Sequence, residues 1–334
     1  KLNFVVTIHL YSAPQRSVLC SARNFLDKND GVLHMKKSLV ASAVAAAVLA
    51  GPASAMKLEG PDYGIQVNVD VGMYYLDSKG SESEFKGDGV NQIEIKGKRK
   101  VNDTITVFGE IELEYDPAEA ESDVVTDDAK VGIKHATLGT FTFGQFDSYY
   151  EDKVAEALAA EHGDTGKVEE SAVIDDDNRM QWKNKFGDTT VAIDLSYDKA
   201  SGDEVDIERS IALKQKMGDI SFTIGAGKEK NERDNMGANL AYKVDDTKFV
   251  LSYVVDENAD SEETSYAGFL VTQQFGSTDI FLAAQNVDDD GTENTDWAVG
   301  VGYEVAKDML MYADYADRAS QDEEDLEIGI KYEF

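Results

Sequence analysis

Cysteine is almost missing from this chain, with one in 334 residues, and only 4 prolines and 4 histidines occur. No run of about 18 or more apolar residues exists, which excludes a membrane protein built of helices. Basic residues are few, 32 Lys and Arg against 65 Asp and Glu, giving a formal charge of −33. Phosphate backbones are bound by basic surfaces, so a nucleic-acid partner is excluded. Glycine-rich phosphate loops are absent, and with them any reason to expect a nucleotide. A hydrolase needs a nucleophile, a base and an orienting group within reach of one another. Cys20 and two of the histidines precede Met56, and from there on only His135, near a turn, and His162 remain. Both read as polar surface residues, and no serine nucleophile motif accompanies them. Asp288-Asp289-Asp290-Gly291 and Asp175-Asp176-Asp177-Asn178 lack the ligand spacing of a calcium loop, so neither metal nor cofactor is expected. What is present is 42% hydrophobic residues with 15 Tyr and 14 Phe, too apolar for a disordered acidic chain.

The most apolar stretch, Met35 to Ala55, opens with Lys36-Lys37, continues through alanine, valine and leucine, and closes with Ala53-Ser54-Ala55. Basic start, short apolar core and small-residue end are the three parts of a secretory signal peptide. Residues 1–34 show no coherent periodicity and read as upstream sequence from a misplaced start. The expected organisation is therefore 1–34 outside the fold, 35–55 a cleaved leader, and 56–334 one domain. Removing the six basic residues (Lys1, Arg16, Arg23, Lys28, Lys36, Lys37) and two acidic ones (Asp27, Asp30) leaves 26 basic against 63 acidic, a charge of −37. An exported chain without cysteine must rely on its own packing and hydrogen bonds.

Period-two alternation dominates that domain. Val67, Val69, Val71, Met73 and Tyr75 alternate with Gln66, Asn68, Asp70, Gly72 and Tyr74; Val191, Ile193, Leu195 and Tyr197 alternate with Ala192, Asp194, Ser196 and Asp198. Sixteen such segments are expected, near 63–76, 90–101, 104–116, 128–138, 140–147, 178–186, 189–198, 207–217, 219–229, 235–244, 248–257, 264–275, 279–287, 295–305, 308–316 and 325–334. The segments near 128–138, 279–287 and 308–316 do not declare which face is apolar. Short turns (Asn102-Asp103, Gly187-Asp188, Gly218-Asp219, Asp245-Asp246, Gly276-Ser277) alternate with long polar connections (Asp77–Gly89, Asp116–Asp127, Asp198–Asp206, Asn286–Asn294). Short links on one side and long ones on the other mark an up-and-down membrane barrel. In such a barrel only alternate residues meet lipid, and closure satisfies every backbone group, so a mean hydropathy of −0.38 is compatible with the membrane. The expected fold class is thus all-β: a transmembrane antiparallel barrel of sixteen strands. A secreted acidic β-sandwich or β-helix is the alternative.

Several segments resemble the general diffusion porins of Gram-negative outer membranes, particularly the marine type. They are Lys96 to Asp103 with Phe108-Gly109-Glu110, Gly132-Ile133-Lys134 through Leu138 to Gln145, His162 to Thr165, Asn178 to Trp182, and the ending Gly329 to Phe334. The resemblance implies a homotrimer in the outer membrane, in contact with lipid and lipopolysaccharide. It also implies insertion by the β-barrel assembly machinery, with Phe334 as the assembly signal. A third external loop, here roughly Phe146 to Asp177, would fold inward and narrow the pore. A short helix is expected over Lys153 to His162, with Ala155, Leu158 and Ala159 on the wall.

That loop holds eleven carboxylates against Lys153 and Lys167. Glu161, Asp164 and Glu170 are the expected constriction residues, whereas Glu151, Asp152 and Glu169 read as solvated. Where the resemblance predicts basic wall residues, this chain has Asp70, Gln92, Asp127 and Asp175. Strand parity adds Glu94, Glu110, Glu112 and Glu114 to the lumen, with Lys96, Lys98, Arg179 and Lys183 as the inward cations and Ile95 and Trp182 as outward references. Carboxylate rings favour cations, so a cation-selective pore for small hydrophilic solutes is the expected function. A sugar-selective channel and an acidic surface adhesin are the alternatives.

Overall fold

Alternation written into the sequence becomes a closed wall. The computed structural model describes residues 56–60, 62–79, 84–86, 91–115, 124–158, 162, 178–199, 205–228, 233–258 and 262–333. Its strands are β1 (Met56–Glu59), β2 (Tyr63–Ser78), β3 (Glu84–Lys86), β4 (Gln92–Lys100), β5 (Ile105–Glu114), β6 (Val125–His135), β7 (Gly139–Gln145), β8 (Arg179–Phe186) and β9 (Thr189–Lys199). They continue with β10 (Val205–Met217), β11 (Ile220–Lys228), β12 (Arg233–Val244), β13 (Thr247–Asn258), β14 (Glu263–Phe275), β15 (Thr278–Asp289), β16 (Thr292–Ala306), β17 (Met309–Arg318) and β18 (Glu323–Glu333). Each long strand pairs antiparallel with its neighbours in sequence, and β18 pairs with β2. Setting aside the short β1 and β3, this is a closed ring of sixteen strands. Closure leaves no unpaired edge, the condition for a sheet in lipid.

All sixteen expected strands are present, most within two or three residues of the predicted bounds. Three differences have local causes. The stretch Asp77–Gly89, expected as loop, contains β3, which pairs with Tyr74–Leu76 of β2. The long connection expected over Asn286–Asn294 is a two-residue turn, because β15 runs on to Asp289 and β16 starts at Thr292. Asp290 (φ 47°) and Gly291 (φ 85°) both take positive φ, as a tight hairpin requires, and the Asp288 carboxylate accepts the Gly291 amide at 2.9 Å. The third difference is β1, which no periodicity announced. It pairs with Gly64–Val67 of β2, while β18 pairs with Asp70–Ser78. The other edge of β2 is taken by β4 over Tyr63–Asp70. The first and last described strands therefore lie in line along one edge of β2.

One face of the wall carries large exposed apolar side chains, among them Ile65, Ile95, Ile133, Ile224, Met236, Leu251, Leu282 and Val301. A continuous belt of that kind on every strand is a lipid-facing surface. Aromatic pairs sit on it near the short turns, including Trp182 with Phe186 and Tyr242 with Phe249. Trp182 also donates its indole N–H to the Leu138 carbonyl at 2.8 Å, tying β8 to the preceding turn. The opposite face is small and polar over most strands, but β13, β14, β15 and β17 bury Val250, Val254, Leu270, Phe281, Ala283 and Ala316 there. This explains why 279–287 and 308–316 did not declare a face: both faces are apolar. Something must cover the inner one.

Candidate functional site

The cover is the connection between β7 and β8. Ser148 and Glu151 form a reciprocal cap, the Glu151 amide donating to Ser148 Oγ at 3.0 Å and the Ser148 amide to Glu151 Oε2 at 3.4 Å. A serine followed three residues later by glutamate satisfies two free amides at a helix start. The helical turn that follows, Glu151–Ala155, begins before the predicted Lys153. Its spacing of four residues aligns Tyr150, Val154 and Leu158 on one side. These three sit on three wall glycines. A Cβ built on Gly225 (β11) would come within 2.6 Å of Tyr150, on Gly237 (β12) within 2.7 Å of Val154, and on Gly268 (β14) within 2.5 Å of Leu158. Any larger residue would lift the loop off the wall. Asn239 of β12 donates its side-chain amide to the Lys153 and Val154 carbonyls at 2.6 and 3.2 Å. Leu158 packs as expected, Ala155 is partly buried against the cluster of Tyr150 and Val154, and Ala159 lies outside the described residues.

His162 completes the attachment, and it is buried rather than a surface residue. Nδ1 lies 2.9 Å from Asp314 Oδ1 on β17, and Nε2 hydrogen-bonds Asp279 Oδ2 at the start of β15. The ring packs 5.2 Å from that of Phe281 and 6.1 Å from that of Tyr312, whose hydroxyl donates to Glu327 at 2.6 Å. Only an imidazolium can donate from both nitrogens. Burial opposes that charge, but the hydrogen bonds and charges of Asp314 and Asp279 outweigh it, and the pKa rises. Glu151, expected as solvated, is likewise buried; burial first, then Asp147 and Glu156, push its carboxyl up to about 8. The sequence could not reveal the burial of His162, because it depends on wall residues more than 100 positions away.

The inner face beside the loop is acidic. Glu94 and Glu112 are direct cross-strand neighbours on β4 and β5, as are Gln92 and Glu114, the Gln92 amide donating to Glu114 at 3.1 Å. A register shift between Ile111 and Leu113 brings Asp127 and Asp128 of β6 opposite Glu112. Oxygens of Glu94, Glu110 and Glu112 lie within 4.8 Å of one another, and so do those of Glu112, Glu114 and Asp127. Two cations enter this group. Lys96 contacts Glu94 and lies 3.9 Å from Glu110; Lys130 contacts Asp128 and lies 3.0 Å from Glu110. Asp70 on β2 lies 3.9 Å from Lys331. Arg179 is buried and donates Nε to the Phe146 carbonyl at 2.7 Å, which makes it a support for the loop stem rather than an open pore charge. Lys183 lies 5.4 Å from the centre of the Tyr149 ring, and Lys98 is an exposed side chain on the same face. Glu161, Asp164, Glu170, Asp175 and Phe334 lie outside the described residues.

Sequence reasoning overlooked most of the inner lysines at the short-turn end: Lys134, Lys185, Lys214, Lys216, Lys243 and Lys248. The signal was there. Lys100-Val101-Asn102-Asp103, Lys185-Phe186-Gly187-Asp188, Lys216-Met217-Gly218-Asp219 and Lys243-Val244-Asp245-Asp246 repeat one pattern, lysine as the last inward residue before a turn closed by aspartate.

A family model described as Gram-negative porin matches residues 41–323. No curated protein matches the sequence. Among solved structures, a variant of the Rh. blastica porin is 14% identical, with a TM-score of 0.67 over 81% of this chain and 100% of that one. Salmonella typhi OmpF in complex with daunomycin is also 14% identical, with a TM-score of 0.67 over 84% and 100%. A loop-deletion form of OmpT, an outer membrane protein of Vibrio cholerae, is 13% identical, with a TM-score of 0.64 over 82% and 100%. At these identities the likeness is one of fold.

Proposed function

Because the chain belongs to the Gram-negative porin family, whose members are outer-membrane channels and not enzymes, we propose that it forms a diffusion pore favouring cations. The observation that carries the selectivity is the inner-face group of Glu94, Glu110, Glu112, Glu114, Asp127 and Asp128, into which, among the described residues, Lys96 and Lys130 reach. Charges against a low-dielectric wall act more strongly than at an open surface, where salt screens beyond about 8 Å. The loop residues Glu161, Asp164 and Glu170 are assigned to the constriction, with Asp175 beside them and Asp70 and Gln92 on the wall. Family members are generally trimers; this chain is assigned the same assembly. It would lie among outer-membrane lipid and lipopolysaccharide, delivered by the assembly machinery through the Phe334 end. Cleavage after Ala55 is part of the same reading, carried by the Ala53-Ser54-Ala55 end of the leader.

The test is a zero-current potential across a potassium chloride gradient in a planar bilayer. The expected sign is cation preference, and Glu94→Gln, Glu112→Gln and Glu114→Gln together should reduce it several-fold. An anion-selective potential in the unmodified chain would overturn the reading. Closed-barrel folding is checked first by a gel, on which the unheated sample should migrate differently from the boiled one.

A further inference from the structure

The overlooked lysines form rows. Lys100 on β4, Thr106 on β5, Lys134 on β6, Thr140 on β7 and Lys183 on β8 are successive cross-strand partners. A second row runs from Lys185 through Thr190 and Lys214 to Thr223 on β8 to β11. Lys216 faces Ser221, and Lys243 on β12 faces Lys248 on β13 directly. Neighbouring strands are about 4.8 Å apart, so lysines on alternate strands start about 10 Å apart with a hydroxyl between them. No carboxylate interrupts these rows. The aspartates nearby are those of the turns, where Asp103 holds Lys100 at 2.8 Å and Asp188, Asp219, Asp245 and Asp246 are exposed, and, on the loop side, Asp152 near Lys183 and Lys214 and Asp194 near Lys183. All these lysines share the inner face with Lys130 and Arg179, since the intervening Ile133, Leu213 and Phe249 are on the exposed apolar one. The belt is an arc. At the next two turns the position of the repeated lysine is taken by Gln274 and then Glu304.

Lys243 faces Lys248 directly, and Lys216 and Lys248 are both within electrostatic reach of Lys214, so the arc gathers positive charge on one side of the lumen. We propose that this arc is a binding surface for solutes carrying several phosphate charges, reached from the short-turn mouth of the pore. Each flexible ammonium supplies up to three donors and the intervening threonines supply hydroxyls, a mixture suited to a polyanion with many acceptor oxygens. The acidic group around Glu112 lies on the loop side of the arc, so the same anion approaching from that side is repelled first. The inference rests on the porin reading, and its sidedness separates the two.

Inorganic tripolyphosphate is the probe, added to one chamber at a time during single-channel recording. Asp290→Cys, at the loop end of a chain with no other cysteine after residue 55, identifies which chamber faces the loops by thiol modification. Block of the current should be about tenfold stronger from the short-turn side at about 0.1 M salt and should vanish near 1 M, where screening shortens to about 3 Å. The exposed lysines Lys134, Lys185 and Lys216 changed together to Gln should abolish the sided block, while the same three changed to Arg should keep it. Equal block from both sides, or sided block unchanged by the Gln variant, overturns the belt and leaves the pore standing. A chain that folds but opens no channel overturns both.

Discussion

Changing Tyr150, Val154 and Leu158 to Ala together should release the third loop from the wall and raise the single-channel conductance by about twofold, since a constriction governs the flow. Each truncation of a buried side chain of this size costs about 2–5 kcal/mol of packing. Here that loss falls on the docking of the loop, because the three side chains meet the barrel only through the glycine sockets and the buried residues beside them. The ring of hydrogen-bonded strands does not depend on them, so heat-dependent migration should be unchanged. The converse experiment leaves the loop intact. Gly237→Val places a Cβ 2.7 Å from Val154, 2.9 Å from Val254 and 3.0 Å from the Tyr253 carbonyl, and overpacking of this kind costs about 1–3 kcal/mol. It should raise conductance in the same direction and to a lesser degree. Unchanged conductance in both variants would mean that the loop does not set the current.

The second large effect is a loop that docks more firmly in acid. Folded-state pKa values raised above their ordinary ones give stability that is present below the ordinary value and lost as pH rises through the raised one. His162 is raised from 6.5, and Glu151 from 4.5 to about 8, so both lose docking stability in the same direction. Once pH has risen through its raised pKa the imidazole is neutral and donates to one aspartate only, leaving its bare nitrogen facing the other, and above about pH 8 Glu151 is an ionised carboxylate in a buried site. Open-channel noise should therefore increase as pH is raised from about 6 to 9 and recover on return. His162→Gln and Glu151→Gln combined should flatten the profile. A native channel insensitive to pH across this range, or an identical slope in the double variant, would remove the latch.

Most of the fold was legible because a membrane barrel states its geometry twice, in the parity of each strand and in the asymmetry of its connections. Ile105, Val107, Ile111 and Leu113 could be placed from their neighbours alone. Legibility failed wherever a residue answers to something outside its own strand. Phe281, Ala283 and Ala316 are apolar on the inner face because Leu158 packs there, so parity at those strands had no polar partner to read against. His162 looked like a surface histidine because Asp279 and Asp314 are brought to it only by the closed ring. The carboxylates of β4 and β5 were legible from parity, and the register then showed their grouping. The lysines escaped for a different reason: a cation next to a turn normally needs no explanation, and only their repetition on successive strands makes them a belt.

The way the ring is sealed has a consequence for how it must be made. β2 is the first long strand and its partner β18 is the last, so the Asp70–Glu333 pairing joins positions separated by nearly the whole ring. Every other long strand can pair with a sequence neighbour as soon as both exist, but the seam cannot form until the final residues arrive. Until then the growing sheet has two open rims with unpaired backbone groups, which invite pairing with other chains. Loss of the last strand would leave an open sheet of fifteen rather than a slightly smaller pore. Assembly is thus committed at its final step, and the vulnerable interval lasts as long as that step is delayed.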